Sequence, residues 1–287
     1  MTPLIIDCSP ICYKALAIMG EDFSYEDEQT GVIFSFLLQV FKMANAFHTK
    51  ELVFCWDSNH YKRKDIYPEY KENRKGGISD FQRKVVKKQM LELRCKVLPK
   101  LGFKNSFIEK GFEADDIIAA IVRKNPGVTV VGSDNDLWQL LDDCVIYQQD
   151  KDHRFTKEEF IELYDVKPME WIEVKNISGC SGDNVKGIEG VGWKKAIQHL
   201  KGTLPNGKIK DRINTEESEK IIFRNDELIR LPFWELKFNG VIGKTICTDI
   251  ETWIDIFTDY GFKSFLKKDY LNVIKSTFHD ELLYQNN

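Results

Sequence analysis

Apolar residues in this chain come in short runs that stop at aspartate. Leu4-Ile5-Ile6 stops at Asp7, Leu52 to Trp56 stops at Asp57, and Val128 to Val131 runs into Gly132-Ser133-Asp134-Asn135-Asp136. Runs this short and this apolar read as buried strands. Helical spacing fills the intervals. Val32 to Phe47 places Phe34, Leu37, Leu38 and Phe41 on one side, and Ile117 to Val122 continues a helix opened by Glu113-Ala114-Asp115-Asp116. Strands alternating with helices predict an α/β fold on a mostly parallel sheet. After about Lys157 the pattern turns helical, with a glycine-rich interruption from Gly179 to Gly192. From Thr203 onward it predicts helices and turns without a chemical motif.

Composition adds little until it is split by position. The 287 residues are 43% hydrophobic and 12% aromatic, enough for a sizeable core. No apolar run approaches the roughly 20 residues of a membrane span. A charge at Asp7 with no basic segment before it argues against a signal peptide. Seven cysteines without Cys-x-x-Cys spacing read as reduced thiols of a cytosolic protein. The net charge of -4 argues against a polyanionic partner. The distribution reverses that argument. His60 to Lys104 holds fourteen bases, Lys84 and Lys87 among them, against five acids, a balance of +9. Asn105 to Asp152 holds ten acids against four bases, a balance of -6. A basic block beside an acidic one suits a polyanion held over bound cations.

The acids converge if the strands do, because the carboxyl ends of parallel strands line one crevice. Asp7, Asp57, Asp134 and Asp136 then share an edge, and Glu113 and Asp116 share a helix face with Asp115 beside them. Taken singly, each has a structural reading as a helix cap, turn residue or dipole partner. Together they would repel unless divalent cations were bound. Carboxylate oxygens suit Mg²⁺ or Mn²⁺, and the five histidines show no zinc-ligand spacing. Gly187-Ile188-Glu189-Gly190-Val191-Gly192-Trp193-Lys194-Lys195 adds a glycine-rich turn at a helix start. Such a turn lets backbone N–H groups approach phosphate without reading sequence.

Together these residues resemble the 5′-nuclease family: flap endonucleases, bacteriophage 5′-exonucleases of the RNase H type, and the 5′-nuclease domain of bacterial DNA polymerase I. The likeness runs over roughly residues 4 to 200. It rests on Ile6-Asp7, Trp56-Asp57, Pro68-Glu69-Tyr70-Lys71-Glu72-Asn73-Arg74, Glu113-Ala114-Asp115-Asp116, Ser133-Asp134-Asn135-Asp136-Leu137, and Gly182-Asp183-Asn184 through Gly192. It implies a Rossmann-like, PIN-type sheet flanked by helices, a helical arch at about 62–104, mobile around Gly76-Gly77, and a helix–three-turn–helix element at about 174–202. The implied nuclease domain spans 1–170, and the DNA-binding and helical C-terminal region spans 171–287. In length the chain is most similar to a phage enzyme. No fused polymerase follows, and the tail Tyr284-Gln285-Asn286-Asn287 lacks a sliding-clamp motif.

By the same resemblance, Asp7, Asp57, Glu113 and Asp115 are ligands of a first cation, with Asp116 close by. Asp134, Asp136 and Asp183 are ligands of a second. Lys14 matches a basic position near the scissile phosphate. Tyr70, Lys71 and Arg74 match the arch base, where cations and an aromatic meet the single strand. Lys175, Lys194 and Lys195, with Gly190 and Gly192, match the duplex-binding turn, where relatives also hold a monovalent cation such as K⁺. The implied enzyme is a two-metal phosphodiester hydrolase, using Mg²⁺ with Mn²⁺ as substitute. It would be a structure-specific 5′→3′ exonuclease and flap endonuclease acting in replication on DNA, and on RNA primers, at single-strand/duplex junctions. Implied partners are branched or 5′-ended duplex DNA, RNA/DNA hybrid, and a single-strand-binding or clamp protein. The chain would be a cytoplasmic monomer, in the bacterial host cytoplasm if phage-encoded.

One position departs from the pattern. The family carries Asp-x-x-Asp before the glycine turn, and this chain has Cys180-Ser181-Gly182-Asp183. A thiol is a poor ligand for Mg²⁺. That leaves open a branched-DNA-binding protein with weak or no cleavage. A metal phosphatase acting on small phosphoesters would use the same acids but leaves the arch and the glycine turn without a purpose.

Overall fold

The computed structural model describes residues 2–19, 23–75 and 77–279. Gly76, on which part of the arch-mobility expectation rests, and the tail Tyr284 to Asn287 lie outside the described residues. By compactness the chain divides into two units. The first comprises 1–56, 78–107 and 240–287, and the second comprises 57–77 and 108–239. This division cuts across the sequence boundary at residue 170, because each unit is assembled from separated stretches of chain.

In the first unit the strands Leu4–Asp7 and Leu52–Trp56 run parallel, with Leu4 opposite Leu52 and Asp7 opposite Cys55. Both are buried throughout, which is why neither alternates in sequence. The helices Cys8–Met19 and Gly31–Ala46 pack on each other, and the helix Asp80–Glu92 packs on both. Buried Gln89 joins them: its Oε1 accepts the Val32 and Ile33 N–H groups at 2.9 and 3.1 Å. Those are first-turn donors that the Gly31–Ala46 helix cannot satisfy itself. Phe41, Trp253 and Phe278 form an aromatic centre, with Trp253 5.3 Å from Phe41 and 5.1 Å from Phe278.

The helix Asp80–Glu92, within the basic stretch, packs by one face. Val85, Val86, Leu93, Val97 and Leu98 are buried. Their helical spacing makes this part of the basic block one amphipathic face of a packed unit, with Lys84 and Lys87 on its exposed side. The stretch 62–104 is therefore not free-standing over its whole length.

In the second unit Val128–Val131 runs parallel to Cys144–Gln148, and His153–Phe155 closes against the latter antiparallel. The sheet strands are thus mostly parallel. The Ala114–Lys124 helix is buried along Ile117, Ile118, Ile121 and Val122. Two further helices, Glu170–Ser178 and Trp193–Leu200, flank the glycine-rich interruption, and Glu216–Ile229 packs on the first of them. The chain after Thr203 forms helices and turns, as its pattern predicts. No helix among the described residues is long and apolar enough to cross a membrane.

Candidate active site

The acids of the second unit gather around the start of the Ala114–Lys124 helix. Asp57, just past the Leu52–Trp56 strand, accepts the Ala114 N–H at 2.9 Å. That bond caps a helix terminus and holds Asp57 beside Glu113. Asp116 is fully buried. Its Oδ1 accepts from Arg63 Nη2 and the Phe233 N–H, each at 2.7 Å. Its Oδ2 accepts from Arg63 Nη1 at 2.7 Å and the Glu113 N–H at 3.1 Å. Both oxygens are thus bonded within the protein, and through them Asp116 positions Glu113 and Arg63. Asp115, next in sequence, is only half-buried.

Glu113 is the centre of the cluster. Oε2 accepts from Arg63 Nη1 at 3.0 Å and from the Tyr70 hydroxyl at 2.7 Å, and Oε1 pairs with Lys71. Burial alone would raise its carboxyl, but Lys71 and Arg63 hold it below the usual carboxylate range. Tyr70 also reaches Asp183 Oδ2 at 3.0 Å, so one phenol proton is shared between two acids. This corrects the expectation of an aromatic meeting a single strand, because Tyr70 is buried and its ring has no open face to offer. Lys71, in the left-handed region at φ 55, places Nζ 3.6 Å from Asp183 as well. Arg74 pairs with Asp183 Oδ1 and donates to the Gly182 carbonyl at 3.2 Å.

A second group lies where the Val128–Val131 strand ends. Asp134 caps the turn that follows, accepting the Asp136 N–H at 2.9 Å. Asp136 is buried and pairs with Lys175, whose Nζ also donates to Asn135 Oδ1 at 2.6 Å. Burial pushes the Asp136 carboxyl up to about 6 against the pull of Lys175, with Asp134 and Asp183 adding to the rise. Lys175 thus stands here as the counter-charge of Asp136. Cys180 Sγ stands 3.7 Å from Asp136 Oδ2. Burial, and after it Asp136, push the thiol up to about 12.

The glycine turn forms as its sequence predicts. Gly190 takes φ +76, a conformation side chains rarely adopt, and Gly192 caps the Trp193–Leu200 helix. Lys194 and Lys195 are exposed there. Lys195 donates to the Gly190 carbonyl at 2.9 Å, and Lys194 lies over the Trp193 ring at 5.3 Å. Asp7, buried at its strand end, and half-buried Lys14 belong to the first unit, as do Lys84 and Lys87.

The donor set fits a divalent cation. Asp136, Cys180 and Asp183 each offer a ligand atom, all within 4.8 Å of one another. Sequence reasoning overlooked Arg63 as an organiser of this cluster. It counted as one cation among fourteen, and nothing local marks it as the buried one. The basic block is also less available than its sum implies, because Lys62, Arg63, Lys71, Arg74, Lys88 and Lys96 all stand in ion pairs.

The chain is similar to known proteins in sequence and in fold. Residues 2–165 match the family profile "5′-3′ exonuclease, N-terminal resolvase-like domain". The chain is 31% identical to the 5′-3′ exonuclease of Aquifex aeolicus over 71% of each protein. It is 29% identical to that of Buchnera aphidicola over 77% of each. It is 27% identical to Thermus thermophilus DNA polymerase I across 79% of this chain, but spans only 28% of that longer protein. Among solved structures, bacteriophage T5 D15 protein crystallised with metal ions superposes with a TM-score of 0.66 at 20% identity, covering 96% of this chain and 100% of that one. The flap endonuclease of Methanococcus jannaschii superposes at 0.58 and 14%, covering 100% of this chain and 94% of that one. The fold is accordingly that of the PIN-like 5′ nucleases. Matched over more than half its length to this profile, the chain belongs to the 5′-3′ exonuclease family.

Proposed function

We propose that this nuclease is structure-specific and hydrolyses DNA, and RNA primers, at 5′ single-strand/duplex junctions with Mg²⁺. The observation that carries this reading is the shared proton of Tyr70. It ties Glu113, at the head of one helix, to Asp183, beside the glycine turn, at 2.7 and 3.0 Å. That tie supports reading the acids of both elements as parts of one hydrolytic site. Asp57, Glu113 and Asp115 would hold one cation, and Asp134, Asp136 and Asp183 a second, with Mn²⁺ as substitute. When bound, such cations lower the pKa of water and stabilise a leaving oxygen. Lys71 and Arg74 supply positive charge for the scissile phosphate. Exposed Lys194 and Lys195, with the N–H groups around Gly190 and Gly192, hold the duplex backbone, with K⁺ fitting that turn. Lys84 and Lys87, exposed on their helix, would offer positive charge to a single strand. DNA is the proposed partner, since the Rad2 catalytic core, with a TM-score of 0.61, is a complex with a DNA substrate. The domain roles over 1–170 and 171–287 follow this division of labour.

The test is cleavage of an end-labelled 5′-flap and an RNA-primed duplex while Mg²⁺ is titrated. Short 5′ products from both are the expected result, and intact substrate at every Mg²⁺ and Mn²⁺ concentration would sink the reading. One observation favours the alternative of a branched-DNA binder with weak cleavage: the thiol of Cys180, a poor ligand for Mg²⁺, stands 3.7 Å from Asp136 Oδ2. Salt-sensitive binding without cleavage in either metal would select it.

A further inference from the structure

We propose that Asp136, Cys180 and Asp183 form a mixed thiolate and carboxylate site that takes a thiophilic divalent cation, such as Zn²⁺, Co²⁺ or Cd²⁺, in preference to Mg²⁺. The inference rests on reading this cluster as the second cation site. Three observations carry it. The three ligand atoms lie within 4.8 Å of one another, and Cys180 Sγ is 3.7 Å from Asp136 Oδ2. Tetrahedral ligands on Zn²⁺, with bonds of about 2.0 to 2.3 Å, stand roughly 3.5 Å apart, so little movement is needed.

The thiol is also held in place by rigid backbone. Cys180 pairs with Val185 across a short antiparallel ladder. That ladder closes over Gly179 and Gly187, and a Cβ on Gly187 would stand 2.2 Å from the Ser178 carbonyl carbon. Finally, cations already offset the mutual repulsion of the ligands. On binding, the thiol loses its proton to solvent and sulfur forms the metal bond. Two carboxylates and a thiolate then meet the divalent ion, with Lys175 on Asp136 Oδ1, Arg74 on Asp183 Oδ1 and Lys71 3.6 Å from Asp183 Oδ2. Mg²⁺ takes oxygen ligands in a strict octahedron and gains little from sulfur, whereas softer ions gain most from it.

The experiment is a Co²⁺ titration of the full chain, read by near-ultraviolet absorption. A thiolate-to-cobalt charge-transfer band is expected. It should disappear with stoichiometric Zn²⁺ and persist in a roughly hundred-fold excess of Mg²⁺. Cys180→Ser should lose the band. Cys180→Asp should also lose it, while Mg²⁺ competes for the bound Co²⁺ at least about ten-fold better. No band, a band that survives in Cys180→Ser, or its loss to equimolar Mg²⁺ overturns the proposal. If the variants do not fold, alkylation of the unaltered chain decides. Cys180, mapped by mass spectrometry, should be protected by Zn²⁺ and not by Mg²⁺, and equal labelling overturns the proposal. DNA cleavage is scored separately. A band without cleavage in any metal upholds this site while the nuclease reading fails, and cleavage without a band does the reverse.

Discussion

Replacing Arg63 with Met tests whether the buried cation organises the acids. The guanidinium makes two bonds of 2.7 Å to Asp116, one of 3.0 Å to Glu113 and one of 2.8 Å to the Leu228 carbonyl. Arg63 and both carboxylates are at most 4% exposed as side chains. Met keeps much of the apolar stem but leaves Asp116 facing only the N–H groups of Glu113 and Phe233. Removing one partner of a buried ion pair costs about 3 to 5 kcal/mol, far above the value of a surface pair. At roughly 2 to 4 °C per kcal/mol for a chain of this size, the unfolding midpoint should fall by about 6 to 20 °C. Tryptophan fluorescence in a denaturant titration measures the free energy directly. The pairing itself is isolated by Arg63→Met/Asp116→Asn, whose loss should be smaller than the sum of the single losses by more than about 1 kcal/mol. A single-variant cost under about 1 kcal/mol, or strict additivity, would refute the assignment of Asp116 to the structure.

Asp115→Ala should abolish 5′-flap cleavage in Mg²⁺ while DNA binding by gel shift changes little; undiminished cleavage removes Asp115 from the site. Lys175→Met should destabilise the fold by about 3 to 5 kcal/mol near pH 7.5, because Asp136 loses its counter-charge. The Asp136 carboxyl already sits up at about 6, and losing Lys175 raises it further. An acid whose folded pKa is raised favours folding below its unfolded value, and that support is lost as pH rises through the folded one. The variant's deficit should therefore shrink between pH 7.5 and pH 5.5, and a pH-independent deficit in urea unfolding would contradict the pairing. Gly187→Ala should weaken both stability and duplex binding, since its Cβ would press on Ser178 backbone at 2.2 Å. Wild-type binding in fluorescence anisotropy would show that the turn can relax.

The strands and the first helical turn of the acid cluster were legible in the sequence because burial and spacing are local properties. Leu4–Asp7, Leu52–Trp56 and Val128–Val131 are apolar runs ended by acids, and each is a strand in the structure. The glycine turn was legible for a similar reason, since positive φ at Gly190 leaves a mark in residue type. The packing of Val85, Val86 and Leu93 is harder to see in the sequence, because the charges between them dominate the composition of that stretch.

What the sequence determined by itself was the inventory: a mostly parallel α/β fold, acids at strand ends, a glycine turn and the thiol at 180. The tertiary structure alone decided which acid meets which cation. Asp115 and Asp116 are adjacent and alike in sequence, yet Asp116 is spent on Arg63, 53 positions away. Lys175 looked like a phosphate ligand and is the partner of Asp136, 39 positions away. Strand formation follows from the average burial of a few neighbouring residues. Ion pairing falls off steeply with distance and burial, so it is settled only when the folded chain places particular oxygens and nitrogens within about 3 Å.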